Sequence, residues 1–251
     1  MYSFLHKLLS DKKGGEIFAL FGFWHFAYIA LAFSVITIAV FAWKVKSDNA
    51  RAKSVNRFLN MAFGLYVLDF FLMPLAYNEI DIEKLPFHVC TAMCVMCFLS
   101  HRVSFLNKYR TSFVLLGFIS NLVYLIYPAG VMWHKVHPLS YRVIQTLLFH
   151  CTMTVYGFLA LLYAHDEGSA GIWRRDLLVV VCMTLWAMLG NSMYNGSSEG
   201  YSHFFNWFFV VRDPFYVLPE NISPFVMPFL NVALFFSAEI ALRLVFRRLK
   251  R

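Results

Sequence analysis

Seven long apolar blocks, separated by short polar connections, constrain the fold of this 251-residue chain more than any other feature. A helix needs about 20 predominantly apolar residues to cross the hydrocarbon core of a bilayer. The alternation expected of barrel strands is absent, and helices pair every backbone polar group within their own segment. We therefore predict an all-α, polytopic membrane protein with seven transmembrane helices. These helices are predicted at residues 17–43, 56–77, 85–101, 111–133, 140–164, 176–195 and 222–246.

The composition excludes two broad classes of protein. Hydrophobic residues make up 60% of the chain and charged residues only 14%, whereas soluble domains average about 45–50% and about 25%. This much apolar surface excludes a disordered chain and favours lipid as the solvent. The net charge of +8 does not indicate nucleic-acid binding, because the basic residues lie between the apolar blocks, where topology signals and anionic headgroups account for them.

The distribution of Lys and Arg predicts the orientation and the domain organisation. About twice as many basic residues lie in the connections on one side, so we place the N-terminus outside and the C-terminus in the cytoplasm. Residues 1–16 are expected to form an interfacial helix or a frayed tail, residues 17–246 the transmembrane domain and residues 247–251 a basic cytoplasmic tail. The first apolar run is too long for a cleavable signal peptide. We expect a multi-pass protein of the cell membrane.

Polar residues inside the blocks are candidates for function, because their burial in lipid is costly. Glu239 and Arg243 lie four residues apart and are expected to pair on one helix face. Asp69 is expected either to bond across helices or to lie near the outer interface, and His25 to hydrogen bond between helices. The segment 201–219 is too polar to span and is expected to form a re-entrant or interfacial loop.

Three cysteines at 90, 94 and 97 share one helix face, and all five cysteines of the chain lie in apolar segments. A disulfide framework is therefore not expected. We interpret Cys90, Cys94 and Cys97 together as small packing residues, since no further ligands suggest a metal site, and we predict no cofactor. Cys90 alone differs, because it follows Pro86 near a helix N-terminus that favours a thiolate. His150 in the fifth block is a candidate base for this thiol.

Four stretches together resemble the YwaF-like family of integral membrane proteins. They cover roughly residues 55–245 in consistent order, although Trp207 stands where the family has Tyr, and Asp213 where it has Lys. The stretches are Leu85-Pro86-Phe87-His88-Val89-Cys90, then Tyr109 through Gly117 to Tyr127-Pro128, then Gln145 to His150, and finally Asn206-Trp207 with Arg212-Asp213-Pro214.

The resemblance implies an activity that composition does not. Eukaryotic relatives of this family are described as cysteine-dependent phospholipid acyltransferases, which move a fatty acyl chain from a donor phospholipid to a lysophospholipid. Carried over by motif, Cys90 is the nucleophile and His150 the base. Phospholipid or lysophospholipid is then the substrate, with membrane lipids as partners. The expected substrate-binding residues are His88, Gln145, Asn191, Asn206 and Arg212.

Two other functions stay open from the sequence. A transporter would place His88, Asp69, Gln145 and Asn191 in a polar pocket between helices, and Pro74, Pro128, Pro224 and Pro228 offer points at which helices can break. A non-catalytic scaffold would use the polar residues only to join helices, and it predicts no cavity around Cys90.

Overall fold

The computed structural model describes residues 2–11, 15–77, 82–128, 131–132, 134–163, 171–195, 205–215 and 217–249. Every regular element in these ranges is helical, in agreement with the predicted all-α class. The α-helices are α1 (Tyr2–Leu9), α2 (Phe23–Lys44), α3 (Asp48–Tyr77), α4 (Val89–Ser100), α5 (Ser104–Asn107), α6 (Arg110–Ile126), α7 (Tyr141–Tyr163), α8 (Ile172–Asn195) and α9 (Ser223–Leu249). Two short 3₁₀ turns cover Ile82–Lys84 and Trp207–Phe209.

Each of the seven predicted blocks contains a helix. Five of the described helices, α2, α3, α7, α8 and α9, are long and apolar enough to cross a membrane. The other two are shorter, with 12 residues in α4 and 17 in α6. At about 1.5 Å per residue they measure roughly 18 and 26 Å, against about 30 Å of hydrocarbon. The chain is thus a multi-pass membrane protein, while the count of seven spans and the orientation stay predictions.

Two of the expected helix breaks do not occur. Pro74 lies inside α3 and Pro228 inside α9, and both helices continue through them. Proline removes one backbone donor, and membrane helices tolerate this because local adjustments pair the freed carbonyl. Helix ends follow the dipole, since Asp48 lies in the first turn of α3 and Arg247 with Arg248 in the last turn of α9.

The chain forms two compact units. The first consists of residues 1–82 and 120–163, and the second of residues 83–119 and 164–251. The boundary falls within α6, so its first part belongs to the second unit and its last part to the first.

The first unit is built around α7, which packs against α2 and α3. The hydroxyl of Tyr141 on α7 donates to Asp69 Oδ1 of α3 at 2.7 Å, so Asp69 bonds across helices. His25 Nε2 of α2 lies 3.2 Å from the carbonyl of Leu125 on α6. The predicted interhelical hydrogen bond of His25 is thereby confirmed.

The N-terminal segment is helical over Tyr2–Leu9 and packs against α3. His6 Nδ1 lies 2.8 Å from the carbonyl of Leu75, and Arg142 Nε donates to Asp11 Oδ2 at 2.9 Å. Phe4 and Leu8 stay exposed. Of the two alternatives the helix is therefore the one observed, and its position at the membrane surface stays a prediction.

The second unit is joined by a buried ion pair between α8 and α9. Arg243 donates from Nε to Asp176 Oδ2 and from Nη2 to Asp176 Oδ1, each at 2.6 Å. Ser112 of α6 donates to the same carboxylate at 2.6 Å. The predicted pairing of Arg243 with Glu239 is wrong, because the guanidinium faces another helix, whose carboxylate accepts two parallel bonds. Both oxygens of Glu239 are buried with no hydrogen-bond partner among the described residues.

Candidate functional site

Cys90 is the second residue of α4 and is buried. His88 is the N-cap residue of this helix, with extended backbone angles. Its carbonyl accepts from Ala92 N at 2.9 Å and from Thr91 Oγ1 at 3.0 Å. The Leu-Pro-Phe-His-Val-Cys stretch therefore forms a tight entry into α4 and holds the thiol in the first helical turn.

An aromatic stack anchors this entry on α8. The Phe87 ring stacks on the rings of both Trp186 and Trp207. The distance between ring centres is 4.9 Å in each pair. Trp186 Nε1 also donates to the carbonyl of Pro86 at 2.7 Å. A Cβ added to Gly190 would collide with the Phe87 ring, so only glycine fits there. The position of Cys90 thus depends on packing against α8.

Asn191 and Asn206, both predicted to bind substrate, hold the backbone of the 205–222 loop in this structure. The Asn191 amide accepts from Trp207 N at 3.0 Å and donates to Trp207 O at 3.1 Å. Asn206 Oδ1 accepts from Val211 N and Arg212 N, each at 3.0 Å, and its Nδ2 donates to Arg212 O at 2.8 Å. Both side chains have a structural role, and contact with substrate stays a prediction.

The rest of the loop is organised around Asp213. Its carboxylate accepts from the backbone N–H groups of Phe215, Leu218 and Val217, and these bonds lower the pKa of the Asp213 carboxyl. Arg212, also predicted to bind substrate, forms a partly exposed ion pair with Glu220 at 3.7 Å. In the described part of the predicted 201–219 loop, residues 205–215 and 217–219, only a 3₁₀ turn is regular. Residues 201–204 and 216 lie outside the described residues.

Two consecutive phenylalanines in this loop have a left-handed backbone. Phe208 has a φ of 57° and Phe209 a φ of 52°, a conformation that costs of order 1–3 kcal/mol for residues other than glycine. Asn231 of α9 donates from Nδ2 to both carbonyls, at 2.6 Å to Phe208 and 3.1 Å to Phe209. These bonds hold the strained turn that presents Trp207 to Phe87.

His150 lies in the first unit, buried on α7. Its Nδ1 lies 2.7 Å from Asn121 Oδ1, and its ring stacks on Tyr124 with centres 3.7 Å apart and planes 13° apart. With the amide oxygen as acceptor, Nδ1 carries the ring proton and Nε2 carries the lone pair. Asn121 and Tyr124 thus hold the plane and the orientation of the imidazole ring.

The two predicted catalytic residues belong to different units. Cys90, His88, Asn191, Asn206 and Arg212 lie in the second unit, whereas His150 lies in the first together with Gln145. Gln145 is partly buried and accepts from Thr146 Oγ1 at 3.4 Å. The pairing of the Cys90 thiol with the His150 ring stays a prediction.

The remaining cysteines show no sign of a metal centre within the described ranges. Cys94 and Cys97 are fully buried in α4, as expected for packing residues. All five cysteines are thiols rather than disulfide partners. No group of three or more His, Cys, Asp or Glu side chains among the described residues is placed to hold a metal ion.

An apolar cavity of about 490 Å³ lies in the second unit beside the Cys90 helix. Cys90 itself is not among the residues that line it. The lining includes Pro86, Met93 and Met96 on the α4 side, Tyr109 before α6, and Cys182 with Trp186 on α8. The scaffold interpretation predicted no cavity around Cys90, and this cavity does not test that prediction because Cys90 does not line it.

Sequence reasoning missed the partners that orient His150. Asn121 is an amide within an apolar block, where it is costly without a partner, and Tyr124 follows it by three residues on the same helix face. A pair of polar residues on one face of an apolar helix indicates that a polar partner, such as a histidine, lies on a neighbouring helix.

The model of the family described as the TMEM164 family matches residues 20–246. The chain matches neither a curated protein nor a solved structure.

Proposed function

Because the chain belongs to the TMEM164 family, a family of transmembrane proteins, we propose that it is a membrane-embedded acyltransferase of the cell membrane. It moves a fatty acyl chain between a phospholipid and a lysophospholipid, as the resemblance of the Leu85–Cys90 stretch to the YwaF-like family implies. The observation that carries the proposal is the fixed imidazole of His150, held by Asn121 and Tyr124. A general base must be held in a fixed orientation, and these two contacts hold the His150 ring.

The proposed reaction has two symmetrical halves. The Cys90 sulfur attacks the ester carbonyl of the donor phospholipid, while His150 Nε2 accepts the thiol proton. The tetrahedral intermediate collapses to a thioester, and the imidazolium returns the proton to the leaving alkoxide, which departs as a lysophospholipid. The hydroxyl of a second lysophospholipid then attacks the thioester, while His150 accepts its proton. The Cys90 thiolate leaves and takes this proton back, so the thiol is restored and no water or cofactor is consumed.

Asn121 gives His150 the orientation that this reaction requires. A general base is effective when a third group fixes it, and the order of roles here matches the Cys-His-Asn arrangement of papain-like proteases. The developing oxyanion needs a donor, for which we propose His88 or Gln145. His88 lies two residues before Cys90 at the start of α4.

The transporter alternative has less support from the described contacts. Two of its proposed pocket residues are engaged within the protein, since Asp69 accepts from Tyr141 and the Asn191 amide bonds to the Trp207 backbone. A thiol-blocking reagent separates the two functions, because it abolishes an acyl-enzyme and spares a carrier.

The decisive experiment uses purified full-length protein in phospholipid vesicles supplied with a lysophospholipid. Intact-protein mass spectrometry detects the acyl-enzyme, and lipid mass spectrometry detects the transferred chain. We expect Cys90→Ala to form no acyl-enzyme and His150→Ala to lose about 100-fold or more in rate. Cys97→Ala removes another buried thiol of the same helix and serves as the matched control. Full transfer activity in both the Cys90 and the His150 variants would end the proposal.

A second arm tests the orientation of the imidazole. We expect Asn121→Ala to lower the rate and to alter its pH profile, since both ring tautomers then become available, and Asn121→Asp to restore an acceptor for Nδ1. Asn231→Ala also deletes a buried amide, in the second unit, and is expected to lower stability with an unchanged pH profile. Identical pH profiles for the wild type and Asn121→Ala would remove Asn121 from the mechanism.

A further inference from the structure

A cluster of basic side chains surrounds the end of α4 opposite to Cys90. We define the basic cluster as Arg102, Lys108, Arg110 and Arg175. His101 interacts electrostatically with Arg110 and Arg102, and Arg175 Nη1 donates to the carbonyl of Lys108 at 3.1 Å. All four members belong to the second unit. Four positive charges therefore meet where α4 ends and where α6 and α8 begin.

Three members of this cluster have no carboxylate partner among the described residues. None of the described ion pairs includes Arg102, Lys108 or Arg110. Asp176, the residue after Arg175, already accepts from Arg243 and Ser112. Arg110 Nη2 donates to Ser100 O at 3.2 Å, while Arg110 Nε is buried with no hydrogen-bond partner among the described residues. Arg102, Lys108 and Arg110 thus carry positive charge that no described ion pair neutralises, and Arg110 also offers a buried donor.

The apolar cavity lies beside this cluster. Leu106 and Tyr109 line the cavity and lie in the same connection as Lys108 and Arg110. The ammonium of Lys108 lies 5.0 Å from the centre of the Tyr109 ring. From there the cavity extends along α4 towards Pro86, and its walls are almost entirely apolar. The Lys108 ammonium therefore lies next to one wall of the apolar space, at the Tyr109 ring.

We propose that this end of the second unit binds an anionic phospholipid, with its phosphate on Lys108 and Arg110 and one acyl chain in the cavity. Basic pockets beside membrane helices recognise anionic headgroups in this way. A soluble anion has no group that would fill the apolar space. A zwitterionic headgroup carries a cation that cancels the charge of its phosphate, so it would leave the net charge of the cluster unneutralised. Both halves of the site together select a lipid.

This lipid is distinct from the substrate of the proposed acyl transfer. Ten residues separate Cys90 from Ser100, which is about 15 Å along α4 at about 1.5 Å per residue. A lipid held by its phosphate at the Ser100 end directs its chain, and not its ester, towards the Cys90 end. The inference therefore holds whether or not the chain catalyses acyl transfer, and its test measures binding alone.

The test compares lipid retention by full-length protein purified in detergent. Native mass spectrometry measures bound phosphatidylglycerol and, in a second arm, phosphatidylcholine. We expect the double variant Lys108→Gln with Arg110→Gln to bind phosphatidylglycerol about 30-fold more weakly. This corresponds to about 1 kcal/mol for each basic residue lost at a membrane surface. Phosphatidylcholine binding is expected to change little.

Matched variants separate the two halves of the site. Lys53→Gln with Arg57→Gln removes the same charge from exposed positions on α3 and is expected to leave retention unchanged. Cys182→Phe narrows the cavity from its exposed side and is expected to weaken both lipids. If a variant fails to fold, retention by the wild type at rising salt gives the answer, because an anionic headgroup contact weakens with ionic strength.

Three results would overturn the proposal. One is equal binding of phosphatidylglycerol by the wild type and the Lys108–Arg110 double variant. Another is complete displacement of the lipid by inorganic phosphate at millimolar concentration, which would indicate a simple anion site. The third is retention of phosphatidylglycerol that does not respond to salt.

Discussion

At the scale of single residues, the buried Asp176–Arg243 ion pair joins α8 to α9 within the second unit. Asp176 is fully buried and Arg243 nearly so, and three hydrogen bonds meet on one carboxylate. A buried ion pair gains little over a well-packed apolar pair, but breaking it leaves an uncompensated charge away from water. The pair therefore specifies which faces of α8 and α9 meet.

Single substitutions in this pair are expected to be costly. Asp176→Asn or Arg243→Met should each destabilise the protein by about 3–5 kcal/mol, whereas the double variant should lose less than the sum. Glu239→Gln serves as the comparison, because the Glu239 carboxyl has no hydrogen-bond partner among the described residues. It is expected to have a much smaller effect. Thermal unfolding in detergent measures all four variants, and additive losses in the double variant would contradict the coupling.

The partner of Arg243 illustrates what the sequence leaves undetermined at this scale. Glu239 is four residues away on the same helix, a spacing that local rules favour. Asp176 is 67 residues away in sequence, and only the packing of α8 on α9 makes it the nearer acceptor. Local spacing shows which groups share a face of one helix, and it does not show what another helix brings to that face.

At the scale of elements, Gly190 decides how closely α8 approaches the entry to α4. A methyl group there would overlap the Phe87 ring, which is already held by Trp186 and Trp207. The ring has no free direction in which to move without breaking a stack. The Leu85–Cys90 stretch is thereby fixed by one glycine on another helix.

Gly190→Ala is therefore expected to displace Phe87 and, with it, the first turn of α4. We expect an acyl-transfer rate at least about tenfold lower with the thiol still present, since small misplacements of reacting groups cost this much or more. Gly64→Ala is the matched control, because a Cβ at Gly64 meets no atom within 4 Å. An unchanged rate in Gly190→Ala would show that Phe87 does not position Cys90.

The two short helices show a different limit of sequence reading. The apolar blocks 85–101 and 111–133 are longer than the helices in them, because α4 begins only at Val89 and α6 already ends at Ile126. Proline at 86 and at 128 restricts the preceding residue and favours a helix boundary nearby. The length of an apolar block predicts that the segment lies in the membrane. It overestimates the length of the helix when proline lies near the edge of the block.

At the scale of the whole molecule, the topology depends on whether α4 and α6 each cross the bilayer. If both do, the connection between them faces the cytoplasm, as the basic residues in it indicate. If instead they enter and leave on the same side, the protein has five spans and this connection faces outwards. The two arrangements place both termini identically, so only an internal position distinguishes them.

Phe105, which is exposed in this connection, gives a direct measurement. We expect Phe105→Cys, in a background where Cys182 is replaced by Ala, to react with a membrane-impermeant maleimide only after the cytoplasmic face is opened. Val45→Cys, in the exposed turn between α2 and α3, is the control for that face. Labelling of position 105 in intact cells would establish the five-span arrangement.

Much of the architecture followed from apolar length alone, because lipid imposes helices on every long apolar segment. The interhelical role of His25 also followed, since a buried imidazole needs a partner. The division of the chain within α6, the cavity beside α4 and the Asn121 contact to His150 did not. These features arise from how separate helices pack against one another. The periodicity of a single sequence does not show which helices are neighbours.

Burial along the chain is uneven, and this has a consequence for how the protein can change over generations. α2 buries only three of its 22 residues, His25, Ala32 and Trp43, whereas α7 buries 14 of its 23. Most positions of α2 require only an apolar side chain, so exchanges among Leu, Ile, Val and Phe are expected to be neutral there. The sequences of homologues are therefore expected to diverge fastest in α2. The sequence of α7 is expected to be the most useful segment for detecting distant homologues.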